Sequence, residues 1–186
     1  MKINSYAKIN LGLHILDKRE DGFHNIITIF QEIDFHDQLT IEKSETIAFD
    51  TNVNWLDSNN NTCISAIKIL KERYPNLPNF KIFLQKNIPT NAGLGGGSSN
   101  GTATLKAINE LCSLNIQHQE MKELAEKISA DSTFFVNGGM QGGEEKGQKL
   151  SPIKNIKIDN YLLLVMPEIK VQTSEAFMFI KKYLVK

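Results

Sequence analysis

Cysteine is scarce in this 186-residue sequence: only Cys63 and Cys112 occur, both inside helix-like patterns. They read as buried thiols of a reducing compartment, and no structural disulfide is expected. Neither sign of charge is in excess, since 21 Lys and Arg balance 21 Asp and Glu. The basic surplus of a protein that lives on nucleic-acid phosphates is therefore missing. Long apolar runs are missing too. The longest, Tyr161 to Met166, covers six residues, against the roughly 20 that span a bilayer. Lys2, Asn4, Ser5 and Lys8 interrupt any signal-peptide core at the start. The four histidines, His14, His24, His36 and His118, show no ligand spacing and no companion cysteine pair, so no metal ligand is assigned. Membrane, secreted and metal-stapled classes drop out, and a cytoplasmic globular protein is the expectation. The composition, 41% apolar and 23% charged, agrees with it.

The patterning that is present mixes two periods. Ile9, Leu11, Leu13 and Ile15 alternate with Lys8, Asn10, Gly12 and His14, which predicts a half-buried strand over 7–16. Asp21-Gly22 marks a turn. A second strand is expected over 26–35, with Ile27, Ile29, Ile33 and Phe35 on one face, and shorter ones near 39–42 and 47–49. Ile64, Ile67, Leu70 and Tyr74 recur at helical spacing before Pro75, and Phe80, Ile82 and Leu84 alternate as a strand. Helices follow from the glycine run onward, carrying Ala103, Ala107, Ile108 and Leu111, and over 119–128. A Gly-rich turn is expected over 138–143 and a strand over 161–166. Strands and helices without strict alternation predict an α+β fold.

Between the strand carrying Phe80, Ile82 and Leu84 and the second helix stands Asn91-Ala92-Gly93-Leu94-Gly95-Gly96-Gly97-Ser98-Ser99-Asn100. Glycines let a backbone approach an anion closely, and the free amides of a helix N-terminus point at it. Ser98 and Ser99 add hydroxyl donors, and either could cap the helix. A flexible turn with a serine cap is the plain alternative. Known phosphate loops of other kinds do not fit: no lysine follows Gly97 as a Walker A loop needs, and a serine stands at 98 where the dinucleotide and protein-kinase fingerprints need glycine.

Three segments taken together carry a resemblance: Ala7-Lys8-Ile9-Asn10-Leu11, then Arg19-Glu20-Asp21-Gly22-Phe23-His24, then Pro89 to Asn100. In that order the chain resembles the GHMP small-molecule kinases, the superfamily of galactokinase, homoserine kinase and mevalonate kinase. Within it, the Arg-x-Asp-Gly-Phe-His segment is similar to the branch that acts on a cytidyl diphosphate sugar-alcohol of non-mevalonate isoprenoid synthesis. The resemblance implies a fold like domain 2 of ribosomal protein S5 over 1–157, and over 158–186 the start of a ferredoxin-like C-terminal domain that is largely absent. It implies ATP-dependent phosphorylation of the 2-hydroxyl of that sugar-alcohol, with Mg²⁺ accompanying ATP. Lys8 and Asp131 match the catalytic pair. Pro89, Thr90, Asn91, Ala92, Gly93, Leu94, Gly95, Gly96, Gly97, Ser98 and Ser99 match the ATP phosphate loop, with Asn61 and Lys86 beside the nucleotide. Asn10, Phe23, His24 and Phe177 match substrate-binding positions, the aromatics and the histidine being those that hold the cytosine. The partner implied is a small molecule, with no nucleic acid and no membrane; oligomeric state is left open.

Elementary chemistry is compatible with these roles. An aspartate beside an acceptor hydroxyl can take or orient its proton, and a neighbouring lysine keeps it ionised and stabilises charge on the moving phosphoryl group. Each residue also has an ordinary reading: Lys8 as a solvated strand lysine, Asp131 as a helix cap, Phe23 as a turn aromatic. The chain departs from the superfamily pattern at Ser129-Ala130-Asp131-Ser132-Thr133, where Gly-Ala-Asp-Val-Pro is typical, so the loop carrying Asp131 loses a rigid residue. Gly101-Thr102 replaces Ala-Ala and predicts a looser helix start, and Gln148 stands where glutamate is usual. A non-catalytic nucleotide-binding remnant, or an RNA-binding module of S5-like fold, are the rival readings.

Overall fold

The structure, a computed structural model, describes residues 1–56, 59–154, 156 and 158–167. Its centre is a long antiparallel hairpin of β1 (Lys2–Lys18) and β2 (His24–Ser44), closed at the Asp21-Gly22 turn with Gly22 at φ 85°. The strand expected near 39–42 is the far end of β2, not a separate element. β2 bonds to β1 along one edge and divides its other edge between two strands. Residues 26–31 pair with β5 (Met140–Glu145), and 38–44 pair with β4 (Asn79–Gln85). β3 (Ala48–Thr51) runs parallel to β4, and β6 (Lys149–Pro152) antiparallel to β5. The Gly-rich turn expected over 138–143 is thus mostly strand. A Cβ on Gly143 would meet the Phe30 ring at 2.6 Å, so β5 can pass over that ring only with glycine there.

Among the described residues there are four helices: α1 (Thr62–Arg73), α2 (Gly96–Leu111), α3 (His118–Glu126) and the single turn α4 (Phe134–Asn137), preceded by a 3₁₀ turn at Ala130–Thr133. Asn61 caps α1, its side-chain oxygen accepting from the amides of Cys63 (3.0 Å) and Ile64 (3.1 Å). The main core lies where α1, α2 and α3 meet one face of the sheet, with Leu39, Ile41, Phe80, Ile82 and Leu84 below Ile67, Leu70, Leu105 and Ile108. Each such side chain contributes about 1.5–3 kcal/mol by leaving water.

The hairpin reverses the expected polarity. Leu11 and Leu13 are 42% and 45% exposed and Ile27 51%, whereas Lys8, Thr28 and Phe30 on the opposite parity are buried. Toward the turn end of the hairpin the buried side carries Lys8 and Thr28 beside Phe30, and the apolar side points outward. Part of that side is covered by Leu164, packed with Ile9, Ile33 and Phe35 around Ala7, Ile88 and Leu94. Residues 161–166, expected as a strand, join no sheet among the described residues and cross the hairpin as an irregular strap. Tyr161 and Leu163 of the strap are almost fully exposed.

Candidate active site

Between Gln31 and Gln38, β2 has neither β5 nor β4 on its second edge, and two loops enter there. The Glu32 amide donates to Gly139 O (2.8 Å), and the His36 carbonyl accepts from Asn87 Nδ2 (2.8 Å). On β1, Lys8 stands opposite Glu32. The gap in the ladder therefore brings the glycine loop and the turn bearing Asp131 to one level of the hairpin.

Lys8 is only 6% exposed, not the solvated side chain its strand position suggests. A buried ammonium needs partners, and it has three. Its Nζ donates to Asn10 Oδ1 (2.9 Å), lies 5.2 Å from the Phe30 ring centroid, and stands 3.6 Å from Asp131 Oδ2. Asn10 is oriented in turn: its Nδ2 donates to Thr28 Oγ1 (2.7 Å), which donates to Gly12 O (2.6 Å). The Asp131 side chain remains 37% exposed, so it meets both the lysine and solvent.

The glycine loop is seated on the same lysine. The Lys8 amide donates to Leu94 O (2.9 Å). Gly95 has φ 68°, and a Cβ there would meet the Phe135 ring at 2.8 Å and Lys8 Cγ at 3.1 Å. Only glycine suits both the backbone and the space. Gly95 is also the N-cap of α2, and no side-chain hydrogen bond caps that helix. The expected serine cap is absent because Ser98 and Ser99 already lie inside the helix. Ser99 is buried and its hydroxyl accepts from Ser5 Oγ (2.7 Å), turned away from the loop's outer face, while Ser98 Oγ accepts from Ser129 Oγ (2.7 Å). The amides at the start of α2 are thus left to whatever anion the loop receives. Pro89 is half-buried, and Thr90, Asn91, Ala92, Gly93 and Gly97 line the open side.

Lys86 is placed differently from a free nucleotide ligand. It is buried, and its ammonium donates to Asp37, a residue with no exposed surface. Asp37 also accepts from the amides of Asn87 and Ile88 (both 2.7 Å) and from Asn100 Nδ2 (2.8 Å). The carboxylate so ties the end of β4, the entry to the loop and the second turn of α2 to β2. Lys86 and Asn61 do border one small pocket of about 150 Å³ together with Thr62, Thr90, Gly97 and Asn100, next to the loop.

Two predicted groups stay apart from this centre. Phe23 and His24 sit at the hairpin turn, and His24 is six residues along β2 from Phe30, about 20 Å at the strand rise. Phe23 is 59% exposed, and one of its faces is covered by the Lys146 ammonium, 5.2 Å from the ring centroid. Phe177 and the rest of 168–186 lie outside the described residues. Among the described residues no group of three or more His, Cys, Asp or Glu is assembled, and no helix is long and apolar enough to cross a membrane.

The sequence reading missed Asp37, Asn100, Thr28 and Phe30. Asp37 could have been found, because it shares strand parity with Leu39 and Ile41, and a carboxylate on a buried face requires a partner. The expected looseness at Gly101 is also corrected. A Cβ there would meet Ile128 at 3.0 Å and Thr62 Cβ at 3.2 Å, so the glycine is a close-packing position.

This fold and loop define a class, and residues 61–140 match the GHMP kinases N terminal domain. The matched stretch and the fold around it are those of a GHMP kinase N-terminal domain. Its relatives are more particular: a protein of Persephonella marina named 4-diphosphocytidyl-2-C-methyl-D-erythritol kinase is 37% identical over 176 residues, 94% of this chain and 64% of its own length. One of the same name from Caldicellulosiruptor bescii is 39% identical over 180 residues, 95% of this chain and 63% of its own. A crystal structure of 4-(cytidine 5'-diphospho)-2C-methyl-D-erythritol kinase superposes with a TM-score of 0.71 at 30% identity, covering 82% of this chain and 55% of that one. Methanococcus jannaschii mevalonate kinase shares the fold, with a TM-score of 0.62 at 20% identity over 83% of this chain and 56% of that one. The chain spans 61–64% of the length of the first curated relatives it matches.

Proposed function

We propose that the protein acts as an ATP-dependent kinase on the 2-hydroxyl of 4-diphosphocytidyl-2-C-methyl-D-erythritol, the substrate in its relatives' names. The observation that carries this reading is the Lys8–Asp131 pair, 3.6 Å apart, with Lys8 bonded through its backbone to the glycine loop at Leu94. Phosphoryl transfer asks a protein chiefly for positioning and charge stabilisation. The amides of Gly96 and Gly97 at the start of α2 would cradle the phosphates of ATP, with its base toward the pocket by Asn61 and Lys86. Mg²⁺, which usually binds through substrate phosphates and one or two carboxylates, would come with the triphosphate, and no protein ligand is assigned to it.

Asp131 would accept or orient the proton of the acceptor hydroxyl. Lys8 would keep that carboxylate ionised and draw charge from the transferring group. Asn10, held by Thr28, would set the lysine's direction. Phe23 would stack one face of the cytosine, worth about 1–3 kcal/mol, beside His24. The separation of about 20 Å between that end of the hairpin and Phe30 suits an extended cytidine diphosphate bridging two regions.

The test is release of ADP from ATP and the cytidyl substrate by the purified chain. Turnover is expected, reduced 10²–10⁴-fold by Asp131→Asn, the usual range for loss of a general base, while ATP still binds. ATP binding without turnover in the unaltered chain would leave a nucleotide-binding module and overturn the kinase reading.

A further inference from the structure

The turn that presents Asp131 is held by side-chain hydroxyls. Thr102, in the second turn of α2, is 1% exposed and directs its single hydroxyl proton between the carbonyl oxygens of Ser98 (3.1 Å) and Ser132 (2.9 Å). Ser129 Oγ donates to Ser98 Oγ at 2.7 Å and lies 2.7 Å from Ser132 Oγ. A hydroxyl has one proton to give, so Ser132 is the donor in the second contact. The Ser132 hydroxyl also lies 3.4 Å from the Ser98 carbonyl, so its single proton is shared between Ser129 Oγ and that oxygen, and both contacts tie the turn to Ser98. These links end at the first turn of α2. Thr133 Oγ1 closes the turn on Ala130 O (3.1 Å).

We propose that Thr102, Ser129 and Ser132 are positioning residues that lock the Asp131 turn onto the glycine-loop helix, so that the carboxylate and the anion cradle keep one spacing. The other restraints on the turn include backbone bonds from the Phe134 amide to the Asp131 and Ser132 carbonyls and from the Ser129 amide to Ala125 O (3.4 Å). Its backbone is bridged from the Ser132 amide to Ser129 O (3.1 Å), and the Asp131 contact to Lys8 is a long ion pair at 3.6 Å. Ser132 and Thr102 are buried, so a carbonyl that loses its hydroxyl partner there has no water to replace it. The hydroxyls act through Asp131. The catalytic consequence rests on the kinase reading, whereas the anchoring of the turn does not.

The experiment compares the unaltered chain with Thr102→Val, which keeps the shape and removes the hydroxyl, Thr102→Ser, which keeps the hydroxyl, and Ser129→Ala. Two readouts are taken: amide hydrogen exchange at 129–133, and kcat with KM for ATP. A single lost hydrogen bond of ordinary worth corresponds to about threefold to tenfold. Thr102→Val and Ser129→Ala are expected to accelerate exchange at 129–133 by that factor while β4 amides stay protected. They should lower kcat at least as much with KM for ATP within about twofold, and Thr102→Ser should restore both. Unchanged exchange in both hydroxyl-deleted variants overturns the proposal. So does accelerated exchange with unchanged kcat in an active chain, or a Thr102→Ser variant as impaired as Thr102→Val. If the unaltered chain shows no turnover, exchange decides alone: acceleration that Thr102→Ser reverses supports the anchoring, its absence overturns it, and the kinase reading fails separately.

Discussion

Gln38 faces Gln85 in the β2–β4 ladder, and continuing that register sets Asp37 opposite Lys86. Both share the parity of fully buried neighbours, Leu39 and Ile41 on one strand, Ile82 and Leu84 on the other. Removing one partner of a buried pair leaves an uncompensated charge, typically a loss of about 3–5 kcal/mol. Asp37→Asn should therefore lower unfolding free energy by that amount in a urea titration. A double variant with Lys86→Met should lose less than the sum of the two single losses; strict additivity would show the pair to be uncoupled. The same burial acts on Cys63, whose thiol is pushed up to about 12 by desolvation. At pH 8 a disulfide reagent should label Cys112, which is half-buried at the end of α2, and leave Cys63 unlabelled until the chain unfolds. Both cysteines were legible as free thiols from their small number and helix-like surroundings, but the burial expected of both holds only for Cys63. Lys86 was legible as a residue near the loop, but not its engagement with Asp37, because that bond joins positions 49 residues apart.

At the scale of elements, periodicity located the helices to within a few residues, since Ile64, Ile67 and Leu70 or Met121, Leu124 and Ala125 must share a face to be buried. It failed on which side of the hairpin is inside. The rule that apolar residues face the core presumes a core on that side, and the helix layer lies over the polar parity of β1. Gly101 makes the same point within α2. Helix propensity alone says that alanine would gain about 0.5–1 kcal/mol there, whereas overpacking against Ile128 and Thr62 typically costs about 1–3 kcal/mol. Crowding is the larger effect, so Gly101→Ala is expected to lower the thermal midpoint. A rise would mean that Ile128 yields freely.

For the whole molecule, the stretch of β2 that neither β4 nor β5 borders is the decisive feature, and it leaves a mark on pH dependence. Glu32, inside that stretch, has its carboxyl raised above the ordinary glutamate value of 4.5, chiefly by burial, with the Gly139 amide and Lys106 acting the other way. The folded chain then holds a proton that the unfolded chain releases, so this group stabilises most at low pH. Its contribution is lost as pH rises from 4.5 through the raised folded value. Unfolding free energies across pH 4 to 7 should show this decline superposed on other titrations, and Glu32→Gln should remove it; an identical profile in the variant would assign the decline elsewhere. The α+β class and the glycine loop were written locally, in short-range spacing and residue type, whereas the candidate pair Lys8 and Asp131 came only from the resemblance to the small-molecule kinases. What only the tertiary structure decided is their common address. Lys8 and Asp131 are 123 residues apart in sequence and 3.6 Å apart in space, because β2 gives up its second edge between Gln31 and Gln38. Strand pairing is a long-range choice set by the summed burial of the whole sheet, and no local pattern carries it.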